Sequence, residues 1–391
     1  MRVHALHAVI ALIGISTVSC SDATGGFVVV ALCPQAKWAA IEREGGPWQS
    51  ISPVRAALPL RGGERIGLAR VRGTGFPPDS LQIYYVTAEQ AEATFDCEVP
   101  ATTKREVHGT AVGIGGVIAT IAMGNSLAYV AAGSYEDFTL WSPPDGPADL
   151  VASAYDLGPA VIIRRGVDYP DGSEIPVLDF SSGEAFVLLT NTVTPIGTAP
   201  YDWDVTSEVT TQRGTRGLLR YWYPDDGGTS APMYSVPATK LLDGELNSVS
   251  VNDGYRTATV FYRLASDRNL ELGPRAGVPT VTRTGTAPNR TLRIDLASQP
   301  EYGSQITLML CGVQNSIASV IATKEYFGGT PATWSITFPD MPAVQGFPSY
   351  LLDPRPSGLC DISVTDRPYL VAPRDGDTYR SALIPGVFNP P

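Results

Sequence analysis

The sequence predicts an all-β chain built from tandem antiparallel β-sandwiches. Three observations carry this. The 39 glycines and 33 prolines among 391 residues are spread as punctuation rather than gathered in one block. Between them lie short β-branched and aromatic runs: Leu81 to Val86, Phe138 to Trp141, Val161 to Ile163, Phe186 to Val193, Thr257 to Leu264, Ile306 to Leu310 and Trp334 to Phe338. Asp-Gly pairs separate such runs at 145–146, 171–172, 243–244 and 253–254. Aspartate bonds its own backbone two residues on and glycine accepts positive φ, so these pairs reverse the chain between strands. Regular short strands with frequent turns favour sandwiches over a parallel sheet with crossover helices.

The first element is an export signal. Met1, Arg2 and Val3 give a short positive start, and an apolar run from Ala5 to Val18 follows. This matches a secretory leader and is shorter than the ~20 apolar residues of a membrane span. Residues 1–19 are therefore expected as a cleavable signal peptide. The run ends in Thr17-Val18-Ser19-Cys20, a placement that resembles the lipobox of bacterial lipoproteins, whose cysteine becomes the first mature residue and is acylated. That pattern prefers Leu three residues before the cysteine, where this chain has Thr17. Cys20 is expected to carry lipid and to anchor the protein in the cell envelope, at the outer membrane or cell surface, with residues 20–26 as a polar tether.

Five cysteines are present, and acylation of Cys20 leaves Cys33, Cys97, Cys311 and Cys360. Four cysteines permit three connectivities. Local pairing, Cys33 with Cys97 and Cys311 with Cys360, closes each disulfide within one segment. In an oxidising compartment such bridges add on the order of 4 kcal/mol each in the chain-entropy model.

At ~100 residues per sandwich the rest of the chain divides into four. The first, 27–103, holds one helical connector, Thr87 to Phe95, where Thr87 and Gln90 fit a capping box. The second, 104–183, begins after the basic-polar stretch Thr102 to Arg105 and ends at Ser181-Ser182-Gly183. Its uncharged stretch 109–135 reads as a hairpin, Gly116 to Met123 and Leu127 to Ala132 around Gly124-Asn125-Ser126. A spanning helix would hold that polar pair near the bilayer centre, where it is costly. The third, 184–283, ends within the Pro/Thr/Gly stretch from Gly273 to Pro288, and the fourth is 284–372. Residues 373–391, rich in proline near their end, are expected as an extended C-terminal tail. Gly turns feeding alternating strands recur at Leu60 to Glu64 and Leu242 to Glu245, a weak sign of repetition.

The run Asp145 to Ala152, then Val161 to Gly166, then Val177 to Phe180, resembles a group of uncharacterised bacterial lipoproteins with tandem Ig-like β-domains. The close likeness lies in these runs, with looser similarity in segment order elsewhere. It implies an Ig-like sandwich fold and an envelope location, and it supplies no activity or site residues.

Composition narrows the function. Loss of Arg2 with the leader makes the formal charge one unit more negative than the −11 of the whole chain, and no basic cluster offsets it. Nucleic acid is not an expected partner. Of three histidines, His4 and His7 lie in the leader, which leaves His108. Several-imidazole zinc sites and Ser/His/Asp triads with spare histidines cannot be assembled from one. His108 sits in an alternating stretch and is expected as a half-exposed strand residue. Residues 113–118 mimic a glycine-rich nucleotide loop, but the third glycine position holds Ile118. No cofactor and no metal is expected.

The most site-like stretches are Tyr201-Asp202-Trp203-Asp204 and Tyr221-Trp222-Tyr223 before Pro224-Asp225-Asp226. Exposed aromatics beside acids grip sugars or partner proteins, while the competing account places these rings in the core of the third sandwich. Tyr201, Trp203, Tyr221, Trp222 and Tyr223 are the candidate ligand-binding residues. A carboxylate pair for glycoside hydrolysis is guaranteed by chance among 39 acids and singles out none of them. The expectation is an exported, non-enzymatic structural or protein-interaction module. The alternatives are a carbohydrate-binding or carbohydrate-cleaving protein, and a homo-oligomeric surface filament or layer joined through edge strands.

Overall fold

The computed structural model describes residues 28–30, 36–52, 56–58, 60–72, 80–90, 105–114, 118–131, 136–154, 159–197, 203–223, 228–284, 291–312, 317–339, 341–348, 356–368 and 372–388. The expectations for the leader, Cys20, Cys33, Cys97 and Tyr201 lie outside these residues.

The described chain is nearly all strand. The first quarter holds β1 (Val28–Val30), β2 (Ala36–Arg43), β3 (Gln49–Ile51), β4 (Ala56–Leu58), β5 (Arg65–Arg72) and β6 (Ser80–Thr87). Then come β7 (Glu106–Val112), β8 (Ile118–Met123), β9 (Ser126–Ala131), β10 (Asp137–Trp141), β11 (Ala148–Ala154), β12 (Ala160–Val167), β13 (Glu174–Asp179) and β14 (Phe186–Val187). The third group is β15 (Leu189–Ile196), β16 (Asp204–Thr210), β17 (Arg216–Trp222), β18 (Ala231–Ser235), β19 (Leu246–Asn252), β20 (Arg256–Tyr262) and β21 (Arg268–Glu271). The last is β22 (Thr280–Thr284), β23 (Thr291–Ala297), β24 (Gln305–Gly312), β25 (Ile317–Thr323), β26 (Thr333–Phe338), β27 (Pro356–Thr365) and β28 (Thr378–Phe388). All seven runs singled out by β-branched and aromatic content contain strands, the run from Thr257 ending as one at Tyr262 rather than Leu264, and all four Asp-Gly pairs fall between strands. The run from Phe186 is broken at Leu188, which is buried and whose N–H donates to the Pro159 carbonyl at 2.9 Å.

The predicted hairpin is β8–β9, closed by the two-residue turn Gly124-Asn125. Gly124 has φ +59°, and a Cβ there would stand 2.2 Å from Pro144 Cγ, so both the turn and the packing require glycine. The capping box is half formed as expected, with the Thr87 N–H donating to Gln90 Oε1 at 3.2 Å at the start of a helical turn over 88–90. Among the described residues no helix is long and apolar enough to cross a membrane.

Among the described residues, face-to-face sheet packing makes three cores, and two further buried clusters lie around Leu68 and Tyr84 and around Val151 and Leu219. The sheets β10-β7-β13 and β14-β12-β11-β8-β9 enclose Ile121, Phe138, Leu140, Leu150 and Ile162. The other two cores share a 12-stranded sheet of order β17-β16-β19-β20-β28-β27-β24-β25-β6-β5-β2-β3. One end of it, covered by β18-β15-β21, buries Trp203, Val205, Val251 and Tyr262. Farther along, covered by β22-β23-β26, it buries Trp38, Ile83, Ile294, Leu308, Trp334 and Ile362.

Continuity of this sheet links segments that are far apart in sequence. Strands from 27–103 and 284–372 meet where β6 lies parallel to β25, with Ile83 opposite Val320, and both segments feed the Trp38–Trp334 core. Residues 378–388, expected within an extended tail, instead form β28, an interior strand between β20 and β27. The prolines that suggested a tail are compatible with this. Pro385 lies past Ala382, the last residue of β28 with a β20 partner, so its missing N–H costs no ladder bond on that side.

Candidate functional site

The site begins with the period-2 alternation of β16, which turns Val205, Ser207 and Val209 into the core and Asp204, Thr206, Glu208 and Thr210 outward. Beside it, Thr206 is opposite Tyr221 and Glu208 is opposite Leu218, with a bulge between Ser207 and Glu208. Without the bulge, Leu218 and Tyr221 would fall on opposite faces, being three residues apart. The extra residue lets both lie outward while Leu219 and Arg220 turn in. Leu219 is fully buried, and the Arg220 guanidinium sits 4.7 Å from the Tyr234 ring centroid and donates to its hydroxyl.

Against this edge packs the sheet that carries the β8–β9 hairpin. The Gly124 N–H donates to Thr215 Oγ1 at 2.9 Å, the Thr120 hydroxyl donates to the Leu218 carbonyl at 2.9 Å, and the Ser153 hydroxyl donates to the same carbonyl. A Cβ at Gly217 would lie 2.2 Å from Val151 Cγ1, so only glycine allows β17 to approach β11 this closely. Because β11 is covered on both sides, every one of its residues is buried. Two acids with no exposed side-chain surface complete the junction. Glu245 accepts from Arg165 Nε and Nη2 at 2.9 and 2.7 Å and from the Leu242 N–H at 2.8 Å. Asp149 accepts from the Gly166 N–H at 2.8 Å and from Arg213 Nη1 at 3.0 Å. Burial alone would raise both carboxyls, but these donors outweigh it and hold each below its ordinary value.

The docked hairpin and the sheet face enclose a surface groove of about 590 Å³, lined by Leu127 and Tyr129 on one wall and by Thr206, Glu208, Arg216 and Tyr221 on the other. Tyr129 is 62% exposed and Tyr221 48% exposed. A second recess of about 200 Å³ continues over Ser250, Thr259, Phe261 and Tyr379, and it shares Glu208 and Arg216 with the first. Glu208 is raised by desolvation, which Arg216 only partly opposes, and Asp204 is raised by desolvation against one hydrogen bond from Asn252 Nδ2 at 3.1 Å. Desolvation, then Asp204 and Tyr223, push the Tyr221 hydroxyl up.

The aromatics named from the sequence divide between core and surface. Trp203 is 2% exposed within the core, and the half-buried Trp222 packs on it with ring centroids 5.5 Å apart. The Trp203 indole offers a ligand no open face. Tyr221 and Tyr223 point outward with centroids 6.0 Å apart, Tyr223 being 55% exposed. His108 is half-buried with Nδ1 3.0 Å from Thr139 Oγ1, away from the groove. Cys311 and Cys360 lie on neighbouring strands, Cys360 as the extra residue of a bulge in the β24–β27 ladder. Sequence inspection missed Tyr129, Leu127, Glu208, Arg216 and Thr206. The apolar run Leu127 to Ala131 carries no alternation that would mark Leu127 and Tyr129 as outward; only the structure shows them exposed while Ala128 and Val130 are buried. No family model matches the chain, nor does any curated protein or solved structure.

Proposed function

We propose that the chain is an exported envelope protein, lipid-anchored at Cys20, that acts as a non-enzymatic interaction module through the groove between β9, β16 and β17. The observation that carries the binding surface is the facing of Tyr129 and Tyr221 across one groove from two different sheets. Singly exposed aromatics are ordinary, but tyrosines convergent from separate elements are a feature of recognition surfaces. The junction beneath holds them in place, so little ordering is required on binding. The leader and the odd cysteine count support export.

Two measurements test this. Fractionation is expected to place the wild type with envelope membranes and Cys20→Ser in the soluble or secreted fraction; a wild type retained in the cytoplasm refutes the location. A photo-crosslinking residue at position 221 is expected to capture a ligand in intact cells, whereas the same residue at the exposed Leu264 position captures none. Equal labelling at both positions refutes the binding surface.

A further inference from the structure

We infer that the ligand of this groove is a neutral oligosaccharide laid across the strands, an inference that rests on the binding-module reading above and adds the ligand class. Its basis is one rung of the large sheet. Register places Tyr221 opposite Thr206, Thr206 opposite Ser250, Ser250 opposite Thr259 and Thr259 opposite Tyr379, on β17, β16, β19, β20 and β28 in turn. Every member carries a hydroxyl, that of Tyr379 being buried so that this residue offers its ring alone, and four inter-strand steps make the row roughly 19 Å long. Tyr221 borders the first recess and Tyr379 the second, so the rung runs through both.

The chemistry of this floor matches a polyol. Ser250 Oγ and Thr259 Oγ1 lie 2.8 Å apart, a contact that uses one donor and one lone pair; Thr259 is buried, and the remaining capacity open to a ligand is that of the half-buried Ser250. Short hydroxyls in the middle of the row and tyrosines at its ends form a trough, whose rings provide apolar faces for stacking on pyranose rings. The two recesses share one carboxylate, Glu208, and one guanidinium, Arg216, and the second recess adds Arg367, whose charge is met by Asp377; this near balance favours an uncharged ligand over an anionic or cationic polymer. Over β16, β19 and β20, which are interior with their ladder groups already paired, a peptide cannot add as a strand; strand addition is open only at β9 and β17, which end their sheets and lie off the middle of the row.

The test titrates the folded mature protein with neutral gluco-, manno-, galacto- and N-acetylglucosamine oligosaccharides of graded length, with an oligouronate as the charged comparison. Affinity for at least one neutral series is expected to rise with length until the rung is spanned. Tyr221→Ala, which removes a ring, and Thr206→Val, which removes a hydroxyl at constant shape, are each expected to weaken that binding about five- to ten-fold. Val177→Ala, at an exposed residue outside the groove, is expected to leave it unchanged. Absence of binding to every neutral series, a preference for the oligouronate, or indifference to both groove variants overturns the inference. If no series binds while the crosslinker at position 221 captures an envelope protein, the ligand class falls and the interaction module stands. If neither gives a signal, both fall.

Discussion

Two pairs of acids in the same half of the molecule behave in opposite ways. Asp149 and Glu245, at the junction between the β8–β9 sheet and the large sheet, have no exposed side-chain surface yet are held below their ordinary values. Asp204 and Glu208, on the groove face, are only partly covered yet are pushed above theirs. Depth of burial does not separate them; the supply of donors does. Each junction acid has an arginine and backbone N–H groups aimed at it, whereas Asp204 receives one side-chain amide and no hydrogen bond reaches Glu208 among the described residues. Saturated acids belong to the scaffold. Acids left short of donors on an open face are suited to accept from a ligand.

The largest expected effect comes from breaking a saturated pair. Glu245→Ala leaves Arg165 beside the junction without its carboxylate, and urea unfolding is expected to show a loss of about 3 kcal/mol. An unchanged midpoint would mean the pair is ornamental. Next is Gly217→Val, which forces side-chain atoms into Val151 and is expected to cost about 1–3 kcal/mol by overpacking, read the same way.

Titration distinguishes the two pairs by sign. Because Asp149 and Glu245 are depressed in the fold, the unfolded chain binds more protons in the window below their ordinary values. Their stabilisation is therefore complete above the ordinary carboxylate range and is lost as pH falls through the folded values. Glu208 is raised, so the folded chain binds more protons in the window above its ordinary value, and its contribution declines as pH rises through the folded value. Glu208→Gln is expected to remove that decline and to stabilise by about 0.5 kcal/mol above the window, measured as unfolding midpoint against pH in both proteins. A destabilised variant with an unaltered slope would contradict the assignment. Smallest is Tyr221→Ala, expected to change unfolding stability by less than about 0.5 kcal/mol because the ring is largely solvated. A multi-kcal loss would make Tyr221 a packing residue.

Much of the local structure was legible because its causes are local. Asp171-Gly172 and its three counterparts fall between strands, Asp253-Gly254 closing the β19–β20 hairpin, and the strand at Ile306 to Leu310 follows from β-branched and aliphatic content. The groove was less legible. Tyr221 was noticed as part of a Tyr-Trp-Tyr run, but alternation sends Trp222 inward, and Tyr129 reaches the same groove from a strand of another sheet. The bulge that returns Leu218 to the face of Tyr221 has no composition of its own to betray it.

The sequence by itself determined that the chain is predominantly β, where a number of its strands lie, and that a turn falls between β8 and β9. Tertiary structure alone decided which strands pair across the chain: β6 with β25 in parallel, β28 between β20 and β27, and the five-residue rung from Tyr221 to Tyr379. The physical reason is that turns and alternation are set by the residues' own dihedral and side-chain preferences. Long-range pairing is decided by which partners bury the most surface once loop closure has been met, and no short stretch of sequence encodes that comparison.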